Sequence, residues 1–301
     1  MNSCEAPDRV AVFVADELRG VGVVRGENIF PLKRYSDKVH NEQLAVDRFF
    51  LDWDAAEVDW TTEDSSAPIS GVTLQAPVRK SGKILCQVVN YAEHGEEASI
   101  APPSRPFFFL RPQTSVLGPF HEIQAHHQSR AIDFEAEFAV VIGRTGRNIH
   151  VERSLDHVGA LMVANDVSYR DLQFNRGHED LNRRFGRNWT HGKGLDGSCA
   201  LGPWLSIMRS PDDITRPRRI ECRVNDELRQ SATTEEMIFG VAQLISAASQ
   251  GMTLECGDVI LTGTPAGVGL ADDRFLSPGD VVRTSIEGLG SLENTVQAVH
   301  S

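Results

Sequence analysis

A chain of 301 residues, 41% hydrophobic and 24% charged, has the makeup of a soluble globular protein with room for one large domain or two smaller ones. Its 42 acidic residues outnumber 30 basic ones, and the formal net charge of −12 excludes a polyanion such as nucleic acid as partner, because phosphate binding draws on clustered Lys and Arg. An acidic chain that handles an acidic substrate must therefore gather positive charge locally, from a metal ion or from Arg and Lys.

The N-terminus, "MNSCEAPDRVAVFVADELRG", carries acids where a signal peptide has basic residues. No run approaches the roughly 18 to 20 apolar residues of a membrane span. Five cysteines, at positions 4, 86, 199, 222 and 256, show no zinc or redox spacing and read as reduced thiols of a cytoplasmic protein without membrane association. Residues 9 to 33 are short apolar runs broken by Gly20, Gly22 and Gly26, which suits small strands and tight turns. Residues 37 to 60 predict an amphipathic helix, and residues 61 to 83 lose periodicity and collect Ser, Pro, Gly and Thr. That loss places a boundary near residues 70 to 82, dividing the chain into a small N-terminal domain, 1–78, and a larger one, 79–301.

Beyond it short strands dominate: "ILCQVVNYA", "PFFFLRP", "FAVVIG", "GALMVANDVS", "PWLSIM", "RIECRVNDELRQ", "DVILTGT" and "DVVRTSIEGLGSL". One helix is marked by a capping box at Thr233 and Glu236, an apolar stripe through Met237, Ile238, Val241, Leu244, Ile245 and Ala248, and a stop at Gly251. The layout is β-rich α+β.

The stretch "AIDFEAEFAVVIG" sets Asp133, Glu135 and Glu137 at alternate positions, so on a strand they share one face while Phe134, Ala136 and Phe138 share the other. A solvated strand face is the plain reading of such alternation. The five apolar residues that follow predict instead a strand buried on both sides, with Glu135 and Glu137 at the mouth of a core. Asp166 ends another apolar run 29 residues after Glu137. Three carboxylates offer only oxygen, which suits a hard cation and leaves coordination positions open for chemistry.

Taken in order, "NYAEH", "DFEAEFAVVIG", "VANDVSYRDLQ", "GKGLDGSCALGPWL", "VNDELRQ" with "MIF", "GDVILTGTPAGVG" and "PGDVV" with "IEGLGSLENTV" resemble the fumarylacetoacetate hydrolase family over residues 82 to 300. The first 80 residues are similar to the smaller N-terminal α/β domain of many bacterial members. The resemblance implies a mixed β-sandwich or β-roll catalytic domain, a homodimer, and Mg²⁺ or Mn²⁺, or Ca²⁺ in its place, on Glu135, Glu137 and Asp166. It implies His94, Glu97 and Lys193 as catalytic residues, and Tyr91, Arg170, Gln173 and Thr264 as contacts to a small 2-oxo acid. Asp133 then supports the ligands rather than joining them.

The first expected activity is hydrolysis of a carbon–carbon bond in a 2,4-dioxo acid of the acylpyruvate or fumarylpyruvate type. His94, oriented by Glu97, takes a proton from water, and the metal and Lys193 accept the enolate charge. The alternative is an oxaloacetate decarboxylase or tautomerase, or a related isomerase or hydratase, on the same site. "GTPAGVG" lacks the Lys-Ser or Lys-Thr of a phosphate loop and is expected to hold the substrate carboxylate. Two departures stand out: Tyr169 replaces an expected small residue on the pocket wall, and residues 174–192 form an insertion with Arg176, Arg183, Arg184 and Arg187. That insertion is expected to close over the metal as a lid, with Arg183 or Arg184 holding a second substrate carboxylate.

Overall fold

The apolar runs lie side by side in a mixed sheet that a computed structural model resolves for residues 8–15, 18–37 and 42–298. Cys4 lies outside the described residues. From one side the sheet runs Asn28–Asp37, Arg19–Arg25, Arg9–Val14, Cys199–Ile207, Val158–Asp166, Ala136–Ile142, Val259–Leu261, Ile84–Gln87 and Phe108–Arg111. Pairing is antiparallel along this path except between Val259–Leu261 and Ile84–Gln87, so the sheet is mixed.

Ala136–Ile142 is buried at every position, as its apolar sequence predicts. Its two faces feed different cores. Phe138, Val140 and Ile142 pack with Ile220, Cys222, Val282 and Leu292 of a second, four-stranded antiparallel sheet made of Arg219–Val224, Glu227–Thr233, Val281–Ile286 and Gly290–Thr295. Ala139 and Val141 pack instead with Phe49, Phe50 and Met162. Burying each large aliphatic or aromatic side chain here contributes about 1.5–3 kcal/mol, so the strand that carries the acids is held from both sides. The result is a β-rich sandwich of two sheets with few helices.

The N-terminal segment continues this sheet. Arg9 and Val10 pair antiparallel with Ser206 and Leu205, and the helix Glu42–Asp54 sends Val46, Phe49 and Phe50 into the core shared with Ala139 and Val141. Across residue 78 both sheet and core are therefore continuous. The helix is shorter than the periodicity of 37 to 60 predicts. Residues 38–41 lie outside the described part, and at the other end Ala56 adopts a left-handed φ of 57° while the amide of Lys33 bonds the Thr61 carbonyl, drawing the chain into extended pairing.

The helix expected from Thr233 begins later. The Thr233–Glu236 capping box is present but closes only a short 3-10 turn, Thr234–Glu236, and the α-helix starts at Val241, running to Ala248. The cause is tertiary: the amides of Ile238 and Phe239 bond the Asn90 carbonyl and side chain, and Tyr91 bridges Met237, so residues 237–239 are held out of the helix. The four described cysteines, Cys86, Cys199, Cys222 and Cys256, are buried and unpaired.

Candidate metal centre and active site

Strand register brings the acids together. Ala136 lies opposite Asn165 and Asp166 opposite Cys199, so Glu137 and Asp166 stand at the same end of neighbouring strands, with Glu135 just beyond. Ligand oxygens of Glu135, Glu137 and Asp166 lie within 4.8 Å of one another. Asp133, Glu135 and Glu137 are 0, 6 and 1% exposed, which rules out a solvated face. Such a donor set fits a hard divalent cation.

Three cations make this burial tolerable. Lys193 Nζ lies 2.6 Å from both Glu135 Oε2 and Asp166 Oδ2 and bonds the Asp166 carbonyl at 3.0 Å, which uses all three of its protons. Arg170 donates to Asp133 at 2.7 Å, Glu135 at 2.5 Å and the Gln173 side-chain oxygen at 3.0 Å. Arg111, which the sequence reading did not single out, ends the 108–111 strand and donates to Asp166 and, at 2.8 Å, to the Ser198 carbonyl. Asp133 behaves as a brace, accepting from Arg170 and from the amides of Gly269 and Leu270 at 2.6 and 3.1 Å.

The two glutamates of the cluster are tuned apart. Burial raises both, but Lys193 and Arg170 outweigh it at Glu135 and hold that carboxyl well below the usual range. At Glu137 burial prevails, reinforced by Asp166 and Glu135, and the carboxyl is pushed well above the usual range although the Gly263 amide donates to it at 2.6 Å. Gly263 can make that approach because it has a φ of 95°, and a Cβ there would lie 2.7 Å from the Asn90 side chain. In the metal-free protein Glu137 thus favours folding below the ordinary glutamate pKa of about 4.3, a contribution lost as pH rises through its folded value; Glu135 contributes above about 4.3 and loses that as pH falls.

A carboxyl pushed up in this way must give up its proton before it can serve as a cation ligand. Affinity for Mg²⁺ or Mn²⁺ is expected to climb about tenfold per pH unit while Glu137 remains protonated. Titration calorimetry in two buffers of different ionisation enthalpy reads the released proton directly. An affinity independent of pH, with no proton released, contradicts this tuning.

His94, Gln173, Arg187, Trp189 and Thr264 line the small cavity, about 30 Å³, that opens onto the acids. Larger hollows of about 720 and 920 Å³ lie elsewhere, but neither is lined by the acid cluster, and the convergent buried charge makes the small cavity the candidate site. So small a space admits about one water, and a substrate enters only if a wall moves.

The expected His94–Glu97 dyad is not assembled as a hydrogen bond. His94 Nδ1 is 3.8 Å from Glu97 and has no hydrogen-bond partner, while both Glu97 oxygens accept the Gly267 amide at 2.9 and 3.0 Å. Thr264 is at the cavity, its hydroxyl donating to the Ala136 carbonyl and accepting from Gln230, both at 2.8 Å. Tyr91, expected to touch substrate, is not among the residues lining this cavity; its backbone bridges Met237, and its buried hydroxyl has no hydrogen-bond partner. Tyr169 does not shape the wall either; its hydroxyl donates to the Gln124 carbonyl at 2.6 Å, and its ring meets His126 edge-on.

With this geometry in view, likeness to known proteins is decisive. Residues 83–297 match the family model described as fumarylacetoacetate (FAA) hydrolase C-terminal. The chain belongs to the fumarylacetoacetate hydrolase family. It is 40% identical over 233 residues to the human oxaloacetate tautomerase FAHD2A, mitochondrial, a match spanning 76% of this chain and 71% of that protein. The fumarylacetoacetate hydrolase of Exiguobacterium antarcticum superposes with a TM-score of 0.76 at 33% identity, covering 97% of this chain and 99% of that one. The fumarylpyruvate hydrolase of Pseudomonas aeruginosa, solved with Mn²⁺ and pyruvate, gives a TM-score of 0.65 at 30% identity over 79% of this chain and 93% of that one. Tautomerases, isomerases and hydrolases thus share this fold, and the relatives favour the tautomerase alternative over the hydrolase first expected.

Within the family frame, the insertion 174–192 folds as two short helices, Glu179–Phe185 and Trp189–Lys193. Trp189 stacks on Phe109 at 4.7 Å, and the Asn188 amide bonds the Gln173 carbonyl at 2.9 Å, so the second helix is pinned at the cavity. Arg183 and Arg184, the expected carboxylate readers, are exposed on the first helix and do not line the cavity. Among the four arginines of the insertion Arg187 alone lines it.

Proposed function

We propose that this chain is a divalent-cation-dependent tautomerase of a 2-oxo dicarboxylic acid of the oxaloacetate type, interconverting its keto and enol forms, with Mg²⁺ or Mn²⁺ held by Glu135, Glu137 and Asp166. The observation that carries the reading is the state of His94: a buried imidazole at the cavity whose Nδ1 is unpartnered, beside a glutamate committed to the Gly267 amide. Tautomerisation needs one proton carrier and a cationic environment. Hydrolysis needs, in addition, a water activated by an assembled base. The 40% identity to a named oxaloacetate tautomerase supports the same choice.

When bound, a divalent cation supplies positive charge beside the ketone and carboxylate oxygens of a 2-oxo acid. The chain's own residues do the rest. His94 carries a proton between carbon 3 and the ketone oxygen, so keto and enol forms interconvert with no net proton gained or lost. Lys193, with its three protons already committed, contributes charge beside the oxygen on which electron density builds. Arg170 fixes Glu135 and Gln173, and the loop at Thr264 borders the substrate carboxylate. Glu97 is a positioning residue for the Gly267 loop, where φ is 98° and a side chain would run into the Arg229 carbonyl.

The test is to give the metal-loaded protein enol-rich oxaloacetate and follow loss of the enol absorbance, with parallel assays for carbon dioxide and for cleavage of acylpyruvates. Faster ketonisation without gas or cleavage is expected; cleavage of an acylpyruvate without faster ketonisation would overturn the reading in favour of the hydrolase. Glu97→Gln, whose amide oxygen can still accept the Gly267 N–H, is expected to keep the tautomerase rate within about tenfold, whereas a base-orienting role predicts a loss of about 10² or more.

A further inference from the structure

We propose that Arg187 sets substrate specificity by binding the second carboxylate of a dicarboxylic 2-oxo acid. The proposal rests on the 2-oxo acid reading above, but not on which bond the enzyme makes or breaks. Besides His94, three cationic side chains line the cavity: Arg170, Arg187 and Lys193. Arg170 is taken up by Asp133, Glu135 and Gln173, and Lys193 by Glu135 and Asp166. Arg187 has no carboxylate partner among the described residues. Its guanidinium lies 4.4 Å over the Phe174 ring, half-buried, and burial together with the like charge of Arg170 makes its charged form less favourable. An anion entering the cavity relieves both costs at once, because it pairs the guanidinium and screens it from Arg170.

The placement is held by packing rather than left to a free loop. Arg187 sits between the two helices of the insertion, directly before Asn188, whose amide bonds Gln173, and Trp189, which stacks on Phe109. Gly192 packs against Gln173 so closely that a Cβ there would overlap it. One end of the substrate, the 2-oxo acid, is drawn to the three acids and their cation. The other is offered a forked donor in the cavity lining, Arg187, which suits a carboxylate in two-point contact. A monocarboxylate of equal length leaves that donor unanswered.

The experiment uses the metal-loaded full chain and compares oxaloacetate with 2-oxobutyrate, following exchange of the carbon-3 protons in deuterated water by NMR. Arg187→Ala is expected to raise KM for oxaloacetate about 10- to 100-fold more than for 2-oxobutyrate, and Arg187→Lys to restore part of the difference. Calorimetry with 2-oxoglutarate and 2-oxovalerate, a dicarboxylate and a monocarboxylate of equal length, reads the preference as an affinity ratio whether or not carbon 3 exchanges. Absence of exchange in the wild type therefore defeats the tautomerase reading alone. A wild type that does not prefer the dicarboxylate, or a preference that survives Arg187→Ala, overturns the assignment of Arg187.

Discussion

Replacing Glu137 by glutamine is expected to abolish metal-dependent turnover, by about three orders of magnitude or more, while leaving the metal-free protein folded. The two halves of that expectation have one cause. Without metal, burial and the neighbouring Asp166 and Glu135 push the Glu137 carboxyl up and favour its protonated form, which a neutral amide of nearly the same shape resembles. With metal, the ligand must be an anion, which the amide cannot become. The thermal midpoint of the metal-free variant should therefore match or exceed that of the wild type. The upward shift that a saturating cation gives the wild type, worth about 2.7 kcal/mol at a hundredfold excess over Kd, should be lost. An unchanged Mn²⁺ affinity in calorimetry would show that the cation sits elsewhere.

His94→Ala is expected to separate binding from chemistry. The side chain lines the cavity, makes no hydrogen bond through Nδ1 and is no part of the acid cluster, so its removal leaves the metal ligands and their cations in place. Turnover should fall by about 10² to 10⁴, the usual contribution of a positioned acid–base group. Affinity for the metal and for oxalate, a non-reacting mimic of the 2-oxo acid end, should stay within about twofold. Added imidazole should return part of the rate if the cavity admits it. Full activity in the variant would remove His94 from the mechanism and move the proton carrier to another group at the cavity.

The part of the centre that could be read in the sequence is the part written in local pattern. Alternation followed by an unbroken apolar run identifies the strand 136–142 and its acids, and the same logic finds Asp166 at the end of its own strand. Arg111 has no such signature. It is one arginine in "FFFLRP", and its partners Asp166 and Ser198 are 55 and 87 residues away, so only strand order makes it part of the site. The four arginines of the insertion are equally visible and locally indistinguishable. What separates Arg187 from Arg183 and Arg184 is the docking of Trp189 on Phe109, a long-range stacking contact. The delayed helix after Thr233 has the same origin, since Asn90 competes for amides that the helix would otherwise use.

The charge count around the acids also fixes an order of events. With the Glu137 carboxyl protonated, the form its surroundings favour, Arg111, Arg170 and Lys193 balance Asp133, Glu135 and Asp166 and the charges of the cluster cancel. The chain can complete its interior before any ion arrives. Loading a divalent ion while shedding the Glu137 proton leaves one surplus positive charge in a water-poor enclosure, where it acts strongly on any anion nearby. A 2-oxo acid that arrives first meets a neutral wall; one that arrives second meets an attractor. Addition should thus be sequential, cation and then acid, with the titration of a single carboxyl separating a dormant interior from a receptive one.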